Sequence, residues 1–239
     1  MQELFCQVKE LDLVGNDVYR VRLTPKGGDL PVFQAGQYLT LQVENGRWIP
    51  FSIGSAPENE DFIELHIRLM PGHELAEEII ERFKQTQQAH IQMPMGECVL
   101  RNNQRPIAFI VGGTGFSPIK AIIESAIAQN DKREKHLFWG AQTPSDFYLG
   151  DIAQQWQDEN LVSYHPVVSG DDKNWTGATG LVHHNAIEFL TDPTDYDFYI
   201  SGSEAMVMAV YHDLLEHGAS KTTIYSDMLD IKRAMGEDV

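Results

Sequence analysis

The run "IAFIVGGTGFSPIKAII" at residues 107–123 constrains the fold more than any other stretch of this 239-residue chain. Ile107 to Val111 are uninterruptedly apolar and end in glycine, the pattern of a strand buried on both faces. Helical spacing begins at once in "SPIKAIIESAIAQN". A doubly buried strand running straight into a helix needs a crossover connection, and with it a parallel sheet. The alternation continues through strand "HLFWG", helix "SDFYLGDIAQQWQ", strand "LVSYHPVV" and helix "LVHHNAIEFL". Strand "DFYISG", helix "SEAMVMAVYHDLLEHG" and strand "TTIYSD" complete it. The expectation is a doubly wound α/β domain over residues 104–239.

Residues 1–103 obey a different period. "FCQVKELDLVG", "VYRVRLTP", "YLTLQVEN", "WIPFSIGS" and "FIELHIRL" place β-branched and aromatic residues at near-alternate positions. Clusters of Gly, Pro and Asn break them at the spacing of an all-β barrel or sandwich. One helix interrupts, "ELAEEIIERFKQ", with Leu75, Ile79, Ile80 and Phe83 as its apolar stripe. The polar segment "RNNQRP", closed by Pro106, marks the boundary. The architecture expected is therefore two-domain, an N-terminal antiparallel β-barrel followed by a parallel α/β sheet.

Composition excludes several functions. A formal net charge of -17 repels polyanions, and no basic patch offsets it, so no nucleic-acid partner is expected. Two cysteines, far apart in sequence, make neither a disulfide framework nor an iron–sulfur ligand set. No apolar run approaches the roughly 20 residues of a membrane span, and the charged start "MQELFCQVKELD" lacks a signal-peptide core. A cytoplasmic protein is the expectation.

The acidic surface also sets a problem for any phosphate-bearing ligand, which local groups must attract against the overall field. Gly112-Gly113-Thr114-Gly115 answers it. Such a turn lies at the carboxyl end of a parallel strand, where ligand sites collect. Glycine lets backbone N–H groups approach a ligand closely, and the next helix turns its positive N-terminus to the same place. A tight turn without a ligand has the same local pattern, and S-adenosylmethionine would suit the loop as well as a dinucleotide. Ser201-Gly202-Ser203, with Ser203 as N-cap of the helix carrying Met206, is a second such loop, and Gly140 a third position. His183 and His184 are adjacent on a helix and lack a carboxylate pattern, so no metal site is expected.

Six segments in order, "IPFSIGS", "IELHIR", "MPMGECVLR", "IVGGTGFSP", "FWGAQ" and "YISGSEAM", resemble the ferredoxin–NADP reductase superfamily. The likeness is nearest to the bacterial NAD(P)H–flavin oxidoreductases and runs from the first strand to about Asp227. It implies a flavin-binding barrel and a pyridine-nucleotide domain. It also implies that Pro50, Phe51, Ser52 and Ile53 lie along a flavin (FMN, riboflavin or FAD), with the Ser52 hydroxyl near N5. His66, Ile67 and Arg68 become neighbours of the ring and ribityl chain. Gly112, Gly113, Thr114, Gly115, Phe116, Ser117, Pro118, Gly140, Ser201, Gly202, Ser203 and Met206 become the NADH or NADPH site. Hydride would pass from nicotinamide C4 to flavin N5 in a ternary complex, with a flavin-dependent monooxygenase or luciferase as a recipient of reduced flavin.

Four departures from the family pattern refine this, one of them Ser201, where members often carry a cysteine beside the nicotinamide. Ile49 stands where FAD-holding members carry a phosphate-binding arginine, with Arg47 two residues earlier as a partial substitute on the same strand face. Leu75, in "MPGHELAEEI", stands near their pyrophosphate-binding hydroxyl. Each charge-assisted bond contributes roughly 1.5–3 kcal/mol, so losing two weakens affinity by about two to four powers of ten. The flavin is expected to come and go as a substrate. Beyond "FWG", the stretch "AQTPSDFY" offers Thr143, Ser145 and Asp146 but no arginine for an extra phosphate, which favours NADH. After Asp227 the tail "MLDIKRAMGEDV" lacks the aromatic residue that covers the flavin in relatives. The alternative activity is an FAD-holding reductase that passes electrons to a separate iron–sulfur protein.

Overall fold

The computed structural model describes residues 1–70, 72, 74–237 and 239. Pro71 and His73, in the stretch compared with the pyrophosphate-binding helix start, and Asp238 in the tail lie outside the described residues. The chain forms two compact units, one of Met1–Leu100 with Lys120–Asn130, the other of Arg101–Ile119 with Asp131–Val239.

The first unit contains β1 (Gln2–Val14), β2 (Val18–Pro25), β3 (Tyr38–Gln42), β4 (Trp48–Ser52), β5 (Ile63–Arg68), α1 (Glu74–Thr86) and β6 (Gln88–Met95). The strands form one antiparallel sheet in the order β4-β3-β6-β1-β2-β5. Its two outer strands meet where Gly54 N–H donates to Glu64 O at 2.7 Å, and this closes the barrel. The interior holds one face of each strand, including Val21, Leu23, Leu39, Leu41, Leu65 and Ile91, and Ile79, Ile80 and Phe83 of α1 seal one end.

The second unit contains β7 (Ile107–Gly112), the start of α2 (Phe116–Ala128), β8 (Lys135–Ala141), α3 (Gly150–Asp158), β9 (Ser163–Val168) and β10 (Ala178–Thr179). It continues with α4 (Val182–Leu190), β11 (Asp197–Ser201), α5 (Glu204–Glu216), β12 (Ile224–Tyr225) and α6 (Asp227–Ala234). Every strand pair is parallel, in the order β10-β9-β8-β7-β11-β12. Successive strands run outward from β7 on one side, then resume with β11 on the other, so the switch point of the sheet lies between β7 and β11. Ala108, Ile110, Phe138, Phe198 and Ile200 pack on α4, α5 and α6. On the opposite face Phe116 stacks on Trp139, with centroids 3.9 Å apart, and Trp156 of α3 packs beside it.

One element differs from its expected form, and the tail gains one. "SDFYLGDIAQQWQ" is not one helix. Thr143 caps a short turn at Pro144–Asp146, Phe147 leaves helical geometry, and α3 begins only at Gly150. The tail from Asp227 forms α6, which buries Leu229 in the core and ties Lys232 to Glu204 of α5 at 2.7 Å.

Candidate active site

The Pro50–Ser52 segment is the end of β4, an outer strand that is paired along its length only with β3 and reaches β5 at Gly54, beyond Ser52. Pairing with β3 sets Ser52 opposite Tyr38 and Pro50 opposite Thr40. Alternation then divides the strand. Ile49 and Phe51 turn inward against the barrel core, whereas Pro50 and Ser52 face outward, Pro50 exposed and Ser52 half-buried. Proline suits an edge because it withholds an N–H that has no ladder to enter. Ser52 Oγ makes no hydrogen bond among the described residues, so the hydroxyl is not engaged with neighbouring backbone. Thr40 Oγ1, on the same outward face, is buried and without a partner. The half-buried Ser52 hydroxyl can both donate and accept toward a flavin edge, and the segment fits that group.

The phosphate grips are filled otherwise. Ile49 and Leu75 both pack on the barrel core. Arg47 precedes β4 in the turn and is not on its face, and its Nε donates to Asn45 Oδ1 at 3.2 Å.

Beyond Ser52 the chain is held by a buried charge cluster. Ile53 N–H donates to Gln37 O at 3.1 Å, and Gly54 O accepts from Lys120 Nζ at 3.1 Å. Lys120 also pairs with Glu64 at 3.0 Å and with Glu124 at 2.9 Å. Glu64 further accepts from Arg22 Nε at 2.9 Å and from His66 Nε2 at 3.0 Å. Ser55 Oγ accepts from Glu64 N–H at 3.1 Å. Burial alone would raise the Glu64 carboxyl, but the His66 hydrogen bond and the Lys120 charge outweigh it and hold the group far below the ordinary carboxylate range. Burial pushes His66 below its usual value against the pull of Glu64, so the ring is neutral and donates from Nε2. Glu124 is raised, chiefly by burial.

In β5, His66 and Ile67 are buried, and Arg68 is tied to Asp17 at 2.7 Å. The alternating "IELHIR" has the pattern of a strand with one wet face. Instead Glu64 and His66 lie under Lys120 of α2, and both faces are buried. Glu64, Lys120 and Arg22 were not singled out from sequence. The one available signal was a lysine inside the apolar helix "SPIKAII".

In the second unit the nucleotide-loop residues converge at the carboxyl ends of β7, β8 and β11. Register sets Gly112 beside Gly140 and Val111 beside Ser201. Gly112 to Gly115, Gly140, Ser201 and Gly202 are half-buried, Ser203 is exposed, and Phe116, Ser117 and Pro118 lie beneath them. Gly113 has φ +52°, and Trp139 Nε1 fixes its carbonyl at 3.1 Å. A Cβ on Gly115 would strike the Ser201 carbonyl, and one on Gly112 would strike Met206 Sδ. The glycines thus let two loops pack backbone to backbone across the switch point. Gly140 has a packing role, since a Cβ there would sit 2.9 Å from Val182 Cβ. Ser203 caps α5 by accepting from Met206 N–H at 3.3 Å. Ser117 Oγ is buried without a partner beside the loop, an orphaned polar atom that a bound phosphate or its water would satisfy. The loop fits a dinucleotide.

The loop after β8 is closed on itself. Asp146 Oδ2 accepts from Thr143 N–H at 2.8 Å and from Thr143 Oγ1 at 2.9 Å. Among the described residues no helix is long and apolar enough to cross a membrane.

Residues 109–212 match the oxidoreductase NAD-binding domain family. The chain is 36% identical over 223 residues to the CDP-6-deoxy-L-threo-D-glycero-4-hexulose-3-dehydrase reductase of Yersinia pseudotuberculosis, covering 93% of this chain and 67% of that protein. It is 31% identical over 228 residues to the NAD(P)H-flavin reductase of Vibrio harveyi, covering 91% of this chain and 94% of that one. Among solved structures it is similar to a cytochrome P450 reductase of Amycolatopsis, with a TM-score of 0.85 and 25% identity over 95% of this chain and 69% of the other. With an antiparallel barrel, a parallel sheet with its glycine loop, and likeness of this extent, the chain belongs to the ferredoxin–NADP reductase superfamily of NAD-binding oxidoreductases, alongside the bacterial NAD(P)H-flavin reductases.

Proposed function

We propose that the protein is an NAD(P)H-dependent flavin reductase that treats flavin as a substrate. The observation that carries this reading is the state of the segment around β4, where the Ser52 hydroxyl is unengaged while Ile49 and Leu75 are committed to the barrel core. The two bound cofactors supply hydride transfer from nicotinamide C4 to flavin N5. Ser52 contributes a hydroxyl that both accepts and donates, suited to an atom that changes protonation as it is reduced. Lys120, through Gly54 O, fixes the backbone two residues beyond it. The Gly112–Gly115 backbone and the start of α2 hold the dinucleotide pyrophosphate despite the acidic surface. The loop beyond β8, "AQTPSDFY", offers no arginine for a 2′-phosphate, which favours NADH. FMN, riboflavin and FAD all present the ring edge that this segment addresses. Released reduced flavin would serve a monooxygenase or luciferase, or reduce ferric complexes directly.

The test follows the bleaching of added FMN under NADH in anaerobic solution. Purified protein should be colourless after gel filtration and should bleach FMN catalytically. Ser52→Ala should keep its fold and lower kcat by about 10²-fold, the usual cost of removing one donor to a developing charge. Stoichiometric flavin retained through dialysis would overturn the substrate reading, and unchanged kinetics in Ser52→Ala would remove that residue from the chemistry.

The likeness to the Yersinia dehydrase reductase and to the P450 reductase supports a second reading, an FAD-holding reductase that serves a protein acceptor. It expects tightly retained FAD and poor turnover of free flavin.

A further inference from the structure

His183 and His184 open α4, and Asp213 stands one turn before the end of α5. Adjacent helical side chains diverge by about 100°, which is why neighbouring histidines rarely chelate by themselves. At this helix start they converge. His183 Nε2 lies 3.1 Å and His184 Nε2 3.4 Å from the same atom, Asp213 Oδ2. All three ligand atoms lie within 4.8 Å of one another. The expectation of no metal site assumed that no carboxylate was at hand, and α5 supplies one from a residue 29 positions beyond His184.

Two of the spacings match the edges of a coordination polyhedron. A tetrahedral zinc ion with bonds of about 2.0–2.1 Å separates its ligand atoms by about 3.3–3.4 Å. Two of the three edges already have this length within a few tenths of an ångström. One imidazole would satisfy the carboxylate, yet the 62%-exposed His184 side chain also turns to it, and the two rings sit 4.5 Å apart. His183 is buried, whereas Asp213 and His184 reach solvent and leave a path for entry and for a water ligand.

We propose that His183, His184 and Asp213 bind a zinc-class divalent ion, with water completing the tetrahedron, and that the ion clamps α4 to α5. The clamp has a structural consequence nearby. Val182, the residue before the pair, fills the space that Gly140 leaves at the end of β8, so the ion would lock the start of α4 behind the nucleotide loop. The proposal does not depend on the flavin chemistry and is tested without it.

The experiment uses the full chain, free of any affinity tag and stripped with chelator, titrated calorimetrically with zinc chloride. One zinc per chain and a raised melting temperature are expected. His184→Ala and Asp213→Asn should each weaken binding by about tenfold or more, one of three protein ligands being lost, and should reduce the thermal shift at a fixed zinc concentration. Circular dichroism confirms that both variants fold. The control His212→Ala, on the exposed side of α5, should bind like the parent. Cobalt(II) should give the intense visible bands of a tetrahedral site. No uptake by the folded chain would overturn the site, as would uptake that both variants leave unchanged. Uptake without a thermal shift would overturn the clamp.

Discussion

At the scale of single residues, the site depends on where side chains are missing as much as on where they are present. Gly115 is the clearest case, because the atom in its way is the backbone carbonyl of Ser201, which has no rotamer to escape into. Gly115→Ala must therefore push the two loops apart. The expected result is a loss of about 1–3 kcal/mol of stability together with a raised KM for NADH and little change in KM for FMN. Steady-state kinetics with each substrate varied in turn, beside urea unfolding, would show it. Equal rises in both KM values would show that Gly115 does not act through the nucleotide loop. Gly112 differs in kind, since its obstacle is the flexible end of Met206, and alanine there should be milder.

At the scale of elements, α2 and β5 are joined by charge inside the first unit. Lys120 is almost fully buried with the carboxylate of Glu64, and removing one partner of such a pair leaves the other uncompensated in a low-dielectric setting. Because Arg22 and His66 remain on Glu64, Lys120→Met should cost about 3 kcal/mol, the low end of the range for such losses. Adding Glu64→Gln should restore part of that loss. A double-mutant cycle in urea measures the coupling, and strict additivity would show that the pair is not what holds the helix. Patterning gave "IELHIR" as a strand, but alternation reports only that the two faces differ in chemistry, not whether the polar face is wet. Here the second face is polar and dry, because a helix more than fifty residues later carries the matching charge. By contrast the β7–α2 junction was legible, since an uninterrupted apolar run followed by glycines leaves few other foldings.

For the whole molecule, the buried histidines set how stability responds to acid. Burial, with His136 adding to it, pushes His165 down to about 4, and burial also lowers His66 and His183. In the unfolded chain each of these takes up a proton near its ordinary value of about 6.5. Between about pH 6.5 and pH 4 the unfolded state therefore binds more protons than the native state, and stability falls as pH falls. Glu64 has the later effect. Its folded value is depressed, so its contribution is full above the ordinary carboxylate value of about 4.3 and is lost as pH drops through the lower native value. Urea midpoints at pH 7.5, 6 and 5 should decline steadily. His165→Phe, which keeps the stack on Phe138, should flatten that decline. A midpoint constant over this range would contradict the assignment.

The amino-acid sequence alone determined the two architectures and the site of the glycine loop, because both follow from local periodicity and from backbone freedom at Gly112–Gly115. It also singled out the Pro50–Ser52 segment as a candidate through its likeness to a family. Only the tertiary structure decided which side chains are free to act. It left the Ser52 hydroxyl unengaged, turned Ile49 and Leu75 into the barrel core, buried His66 against Glu64, and brought Asp213 to two histidines on another helix. The physical reason is range. Periodicity and turns are properties of neighbours in sequence, whereas the fate of a charge or a hydroxyl depends on partners that reach it only after the chain has closed on itself.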